Sequence, residues 1–444
     1  MPISRNRLRT AVVVALAAIA TQARAFHSGG VGACEGCHSM HNSLEGAAMV
    51  TGTGPGDGSG PYLLRASDPS GVCLNCHATP ELAPSSYHVV TLGIEPSGTP
   101  AQMTPGGDFS WVRLGWRNNG RTGVYPYPNH RRGHNVVAAD YAYVPDGTLT
   151  AAPGGDYPAA ALQCSSCHDP HGRYRRFADG TVETSGLPIF GSGSYDVSDD
   201  PVAGVSAVGA YRILGGVGYQ PKSLSGSYAF TSGAPDAVAP SSYNRLETSQ
   251  QTQTFVAYGR GMSEWCVNCH RAFLSNGYTS GMAGLRHPAG DTAKLTAAVA
   301  ANYNAYVTSG RMTNTDPSRA YSTLTPFEVG TADYALLKAR ASPSGAVDRS
   351  AGVQDNVSCV SCHRAHAGGF DSLLRFSVEA EFMTTADPSG AAMYPLSGTA
   401  AGVVEQALGA GYAARMTQAA YYGRPATYFG PFARVQCNKC HAND

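Results

Sequence analysis

Few stretches of this 444-residue chain repeat apolar positions with the period of a helix or a strand. The clearest spans 293–307, where Leu295, Val299, Tyr303 and Tyr306 share one face and Asp291 is placed to start a helix. Weaker helical patterns cover 333–340 and 403–422, the second interrupted by Gly409 and Gly411. Short turns of helix are also expected near several of the cysteine motifs described below. Val89–Leu92 and Tyr211–Leu214 read as short strands. Long Gly/Pro/Ser/Thr segments at 51–61, 93–107, 191–205 and 231–242 read as ordered irregular loops. The pattern predicts a mostly irregular chain, dominated by coil, with a few short helices and minor strands.

The start of the chain differs from the rest. Arg5, Arg7 and Arg9 precede an apolar run over 11–20 that is too short to span a bilayer, and Ala23-Arg24-Ala25 is a small-x-small cleavage site. Residues 1–25 are therefore expected to be a secretory signal peptide, and 26–444 a single domain beginning at Phe26. No later stretch is apolar for 18 or more residues, so no membrane span is expected.

With 53 glycines, 28 prolines and only 14% charged residues, such a chain would ordinarily be read as loops or disorder. The cysteines change that reading. All twelve fall in six Cys-x-x-Cys-His pentapeptides: Cys34/Cys37/His38, Cys73/Cys76/His77, Cys164/Cys167/His168, Cys266/Cys269/His270, Cys359/Cys362/His363 and Cys437/Cys440/His441. Two thiols at this spacing form thioethers to the two vinyl groups of one haem, and the adjoining histidine rises beneath the ring as the proximal iron ligand. Zinc half-sites would not need a histidine in the same place each time. A disulfide framework would leave the six histidines unexplained. The chain therefore reads as a multihaem c-type cytochrome wrapped around a stack of six covalently bound haem c groups. Each porphyrin is a rigid apolar disc that replaces a conventional core, and the 24 tyrosines suit packing against its edges and faces. The motifs have no fixed period, and they reach both ends of the mature chain. A relay needs that placement; an enzyme with one buried site does not.

The sixth coordination position decides what such irons can do. Beyond the six proximal histidines the chain has His27, His41, His88, His130, His134, His171, His287 and His366. These suffice for every iron to be bis-histidine, and a saturated iron exchanges electrons without binding substrate. His41, His171 and His366 each lie three residues beyond a proximal histidine, too close to fold back onto the same iron, and so point to the iron of an adjacent haem. His88, His134 and His287 complete the set of six distal ligands. His27 could replace one of these loop histidines, whereas His130 reads as solvent-exposed. Met40 and Met262 are minority candidates. Arg131, Arg132, Arg175, Arg176 and Lys222 could pair with propionates, and Asp196, Asp199 and Asp200 could hold calcium or simply form a turn.

The precursor balances 31 basic against 31 acidic residues; removing 1–25 takes away four arginines and no acids, leaving a formal −4. Six haems, each with two propionates and one net positive ferric core, bring the oxidised holoprotein to about −10. That excludes nucleic acid and anionic lipid as natural partners.

Across essentially the whole mature chain the sequence resembles the outer-surface hexahaem nanowire cytochromes of metal-respiring bacteria, the OmcS type. The likeness is densest at 26–43 (Phe26-His27-Ser28-Gly29-Gly30 through the first haem motif), 103–109, 164–172, 210–216, 219–230, 261–266 and 437–442. The 219–230 match carries no haem motif, which makes the likeness specific. The resemblance implies bis-histidine haems stacked continuously in a head-to-tail homopolymer, fed by redox partner cytochromes and discharging to extracellular acceptors such as metal oxides. It also implies that His41 leaves its own subunit to ligate a neighbour's fifth haem, opposite the partner subunit's His363. His27 matches the family pattern; His130 does not.

Two other readings share the cofactors. A monomeric periplasmic shuttle would have the same chemistry without assembly. A multihaem reductase would mark its active haem with a lysine or a missing ligand, and every motif here ends in histidine.

Overall fold

The computed structural model describes residues 34–39, 43–44, 47–48, 63–78, 88–92, 99–101, 103–114, 130–171, 175–176, 182–183, 189–190, 200–202, 205–224, 228–239, 256–274, 288–305, 324–341, 350–378, 381–394, 412–424, 426 and 434–441. Coil dominates these residues, and the regular elements are short.

The helix read over 293–307 runs over Ala297–Ala305. It begins later than Asp291 implied, because that carboxylate is engaged elsewhere and accepts from the Gly261 amide at 3.0 Å. Thr296 serves the helix start instead, its hydroxyl accepting from the Val299 amide at 3.2 Å. Leu295 and Tyr303 are buried, with Val299 packed against them. The second helix lies at Tyr334–Ala341, and the Asp333 carboxylate accepts from the Leu336 amide at 3.0 Å. Within 403–422 the described helix is Tyr412–Ala420, beyond the two glycines.

Neither strand read from the sequence forms a ladder. Tyr211–Ile213 is a 3-10 turn in which Arg212 and Ile213 both adopt φ 51°. Val90 makes one isolated bridge to Ala78, and the Val89 carbonyl accepts from the Phe109 amide at 2.8 Å. Conversely, the 231–242 segment contains a strand, Asp236–Val238, paired antiparallel with Ala257–Arg260. A four-stranded sheet runs in the order Val182–Glu183, Arg175–Arg176, Ala207–Gly209, Ile189–Phe190, with only the last pair parallel.

Two apolar clusters sit against the cysteine turns. One includes Leu74, Phe109, Trp111, Phe370 and Tyr421. The other is aromatic, with Tyr157, Tyr211, Tyr219, Tyr228 and Phe230. Its tyrosines use both ends: the rings pack inward while the hydroxyls reach the cysteine turns. Tyr157 donates to the Ser166 hydroxyl at 2.6 Å, Tyr219 to the Ser165 carbonyl at 2.6 Å, and Tyr228 to the Asn268 carbonyl at 2.8 Å.

Candidate haem centres

Each Cys-x-x-Cys-His pentapeptide folds as one tight turn, because the histidine amide reaches back to the carbonyl of the first cysteine. The distances are 2.8 Å for His38, 3.0 Å for His168 and His270, 2.9 Å for His363 and 3.1 Å for His441. The second motif belongs to the helix Pro69–His77, which opens on a proline and is capped by Asp68, whose Oδ1 accepts from the Gly71 amide at 2.7 Å. None of the twelve cysteines is in a disulfide.

The six turns lie beside one another in chain order. The first cysteines of motifs two and three touch, the Cys164 sulfur accepting from the Cys73 thiol, and Cys266 meets Cys359 in the same way. A buried serine fixes each of these joints. Ser70 Oγ accepts from the Cys164 amide, and Ser263 Oγ from the Cys359 amide, both at 3.0 Å. The remaining joints run through the second cysteines: Cys37 feels the charge of Cys76, Cys269 that of Cys167, and Cys362 that of Cys440.

The three motifs that carry His-x-x-His share one further support. Leu64, Leu214 and Leu374 form single bridges to His38, His168 and His363. The residue before each leucine is left-handed: Leu63 has φ 56°, Ile213 51° and Leu373 58°. Such a conformation costs a branched side chain on the order of 1–3 kcal/mol. In return, the reversal delivers a carbonyl to the proximal ring. His168 Nδ1 donates to the Arg212 carbonyl at 2.8 Å and His363 Nδ1 to the Ser372 carbonyl at 2.7 Å. His270 Nδ1 donates to the Pro153 carbonyl at 2.8 Å from a different loop. A carbonyl can only accept, so Nδ1 carries the proton and Nε2 is left to face a metal.

Opposite these rings stand three of the histidines singled out as distal. The His366 ring centroid lies 6.2 Å from that of His168, with planes at 61°. His134 lies 6.1 Å from His270, with planes at 46°, and its own Nδ1 donates to the Ala365 carbonyl at 2.7 Å. A metal–imidazole bond is about 2.0–2.1 Å, so two rings facing one ion through Nε2 hold their centroids roughly 6 Å apart. Both spacings therefore fit one iron between each pair. His88 is buried close enough to His77 to feel its charge. Burial, and then the facing ring, pushes His134 down to about 4 and His366 down to about 3; burial also lowers His168, His270 and His363. All are neutral near pH 7, the form that ligates a metal.

The other candidates are placed differently. His171 is exposed at its own surface, 3.9 Å from the Asp169 carboxylate. His41, His287, His27 and Met40 lie outside the described residues. His130 is half-buried rather than solvent-exposed, because its Nδ1 pairs with Asn135 Oδ1 at 2.9 Å. Met262 is buried in the aromatic cluster. Of the named basic residues, Arg132 is fully buried over the Trp111 ring and Arg131 reaches Asp371 at 3.5 Å. Asp200 pairs with Lys338 at 3.1 Å, while Asp196 and Asp199 lie outside the described residues.

Several contributors escaped the sequence reading. Arg364, Arg375 and Arg424 are buried near the fifth motif, with the Arg364 guanidinium 3.7 Å from the Tyr422 ring centroid. The repeated serine three residues before Cys73 and before Cys266 was a readable signal for Ser70 and Ser263. The repeated Leu-Leu-Arg at 63–65 and 373–375 was another.

No protein-family model matches the chain. It is 53% identical to the C-type cytochrome OmcS of Geobacter sulfurreducens, over 99% of this chain and all of that protein. Two cryo-electron-microscopy structures of OmcS filaments from the same organism, one described as nanowires, align with it at a TM-score of 0.79. Each is 52% identical, over 94% of this chain and the whole of theirs.

Proposed function

The chain belongs to the OmcS family of c-type cytochromes, and from that premise we propose that it is an extracellular electron conduit that polymerises head to tail into a conductive filament. The six pentapeptides hold six haem c groups, which supply one-electron Fe(III)/Fe(II) exchange. The protein's part is to bind, space and saturate them, so the reading is of an electron carrier and not an enzyme.

The single observation that carries this reading is the unbroken side-by-side order of the six cysteine turns. Adjacent attachment points put adjacent cofactors in contact, and a head-to-tail interface that does not close continues the series into a filament. Proximal ligation falls to His38, His77, His168, His270, His363 and His441. His88 serves the second iron, His366 the third and His134 the fourth, as their placement opposite His77, His168 and His270 supports. His41 reaches the fifth iron of a neighbouring subunit, and His171 and His287 remain for the first and sixth. Residues 1–25 direct export and are removed. Redox partner cytochromes feed the filament, and it discharges to extracellular acceptors such as metal oxides. No helix among the described residues is long and apolar enough to cross a membrane.

The test is cryo-electron microscopy of material sheared from cells making the native chain or His41→Ala. Native filaments with continuous haem density, lost in the variant, are the expected result. Discrete particles at full haem loading in the native protein would leave a monomeric shuttle. A reductase would instead require a high-spin ferric signal equivalent to one haem.

A further inference from the structure

We propose that Phe109 is a positioning residue for one iron: its ring fixes the plane of the His366 imidazole and so sets the electronic character of the metal held between His366 and His168. The inference rests on the ligation by His168 and His366 proposed above and goes beyond it to what orients the ligand.

Phe109 is 3% exposed, and its ring stacks on His366 with centroids 4.7 Å apart and planes 23° from parallel. Its backbone is pinned on two sides. The amide donates to the Val89 carbonyl at 2.8 Å, and Val89 in turn donates to the His77 carbonyl at 2.8 Å. Asp108 caps the turn that Phe109 opens, accepting from the Ser110 amide at 2.8 Å. Glycine backbone closes the edge of the imidazole. The His366 amide donates to the Gly106 carbonyl at 2.7 Å, and a Cβ on Gly106 would come within 2.9 Å of His366 Nδ1. Gly107, at φ +93°, has no room for a side chain against the Ala367 carbonyl. A ring held by an aromatic face and a backbone edge cannot swing about its Cβ–Cγ bond. It stays at 61° to His168, more crossed than the 46° of His134 and His270.

The angle matters because each imidazole interacts with iron d orbitals through the π system perpendicular to its plane. Parallel planes split those orbitals strongly and give an ordinary rhombic low-spin ferric spectrum. Crossed planes leave the orbitals nearly degenerate and move the signal to low field. Orienting an axial ligand from the surrounding protein is therefore a lever on the metal distinct from supplying the ligand.

The experiment is electron paramagnetic resonance of oxidised filaments of the native protein, Phe109→Leu and Phe109→Tyr, each assayed for six haems per chain. A low-field, highly anisotropic component is expected in the native protein. Phe109→Leu, which keeps apolar bulk without the ring face, should move the intensity of one iron in six toward the rhombic position; Phe109→Tyr should not. A Phe109→Leu spectrum superimposable on the native one would overturn the proposal while leaving the ligation intact. A high-spin component in the native protein would remove the ligation and the proposal together. Should Phe109→Leu fail to load six haems, the native spectrum decides, and absence of the low-field component overturns the assignment.

Discussion

Ser70 and Ser263 offer the sharpest measure of what joins one haem motif to the next. Both are fully buried, and each accepts from the amide of the first cysteine of the following motif at 3.0 Å. Serine to alanine removes the acceptor and leaves that amide unpaired. For a buried donor this costs about 1–3 kcal/mol, with the lower end apt here because both cysteines are only partly buried. A local opening made easier by that amount exchanges its amide between about fivefold and about 150-fold faster. Hydrogen exchange read by mass spectrometry on haem-bearing peptic peptides would detect it. Ser70→Ala should accelerate the peptide containing Cys164 and leave the one containing Cys359 unchanged, and Ser263→Ala should do the reverse. Unchanged exchange in both variants would refute the joint; acceleration of both peptides by either variant would refute its locality.

Two further tests address single groups. His366→Ala should leave one iron in six without its distal ligand and produce a high-spin ferric signal of that size; loss at two irons would contradict the pairing of His366 with His168 alone. Glu328 is fully buried, accepts from the Met262 amide and from Asn356 Nδ2, and is pushed up to about 7 by burial. The folded state therefore keeps a proton that the unfolded state releases near 4.5, so stability falls as pH rises between those values. The loss, up to about 3 kcal/mol, is complete above about pH 7. Glu328→Gln should abolish that slope in denaturant titrations at about pH 5 and about pH 8, and an unchanged slope would assign it to other groups.

Much of the site could be read from local chemistry. A Cys-x-x-Cys-His turn is complete within five residues, closed by one hydrogen bond from the histidine amide to the first cysteine, so its role needs no distant partner. The same holds for the expectation that His366 cannot serve the iron of His363, since three residues leave no chain for the return. Helices with a marked apolar face, such as Ala297–Ala305, were legible for the same reason, but their ends were not. Asp291 was drawn off to Gly261 by a contact that no window of sequence contains. Tyr211–Ile213 looked like a strand because its residues favour one; it became a left-handed turn because the proximal His168 needs the Arg212 carbonyl.

By itself, then, the sequence determined the cofactor, its number and the proximal ligands, because covalent attachment is a property of adjacent residues. It also determined that enough histidines exist to saturate every iron. Only the tertiary structure decided which histidine faces which. His134 comes to His270 through a hydrogen bond to Ala365, 231 residues away in the chain, and Phe109 comes to His366 by packing. Those encounters depend on how loops of irregular length close on one another, and loop closure leaves no periodic trace in the residues that are brought together.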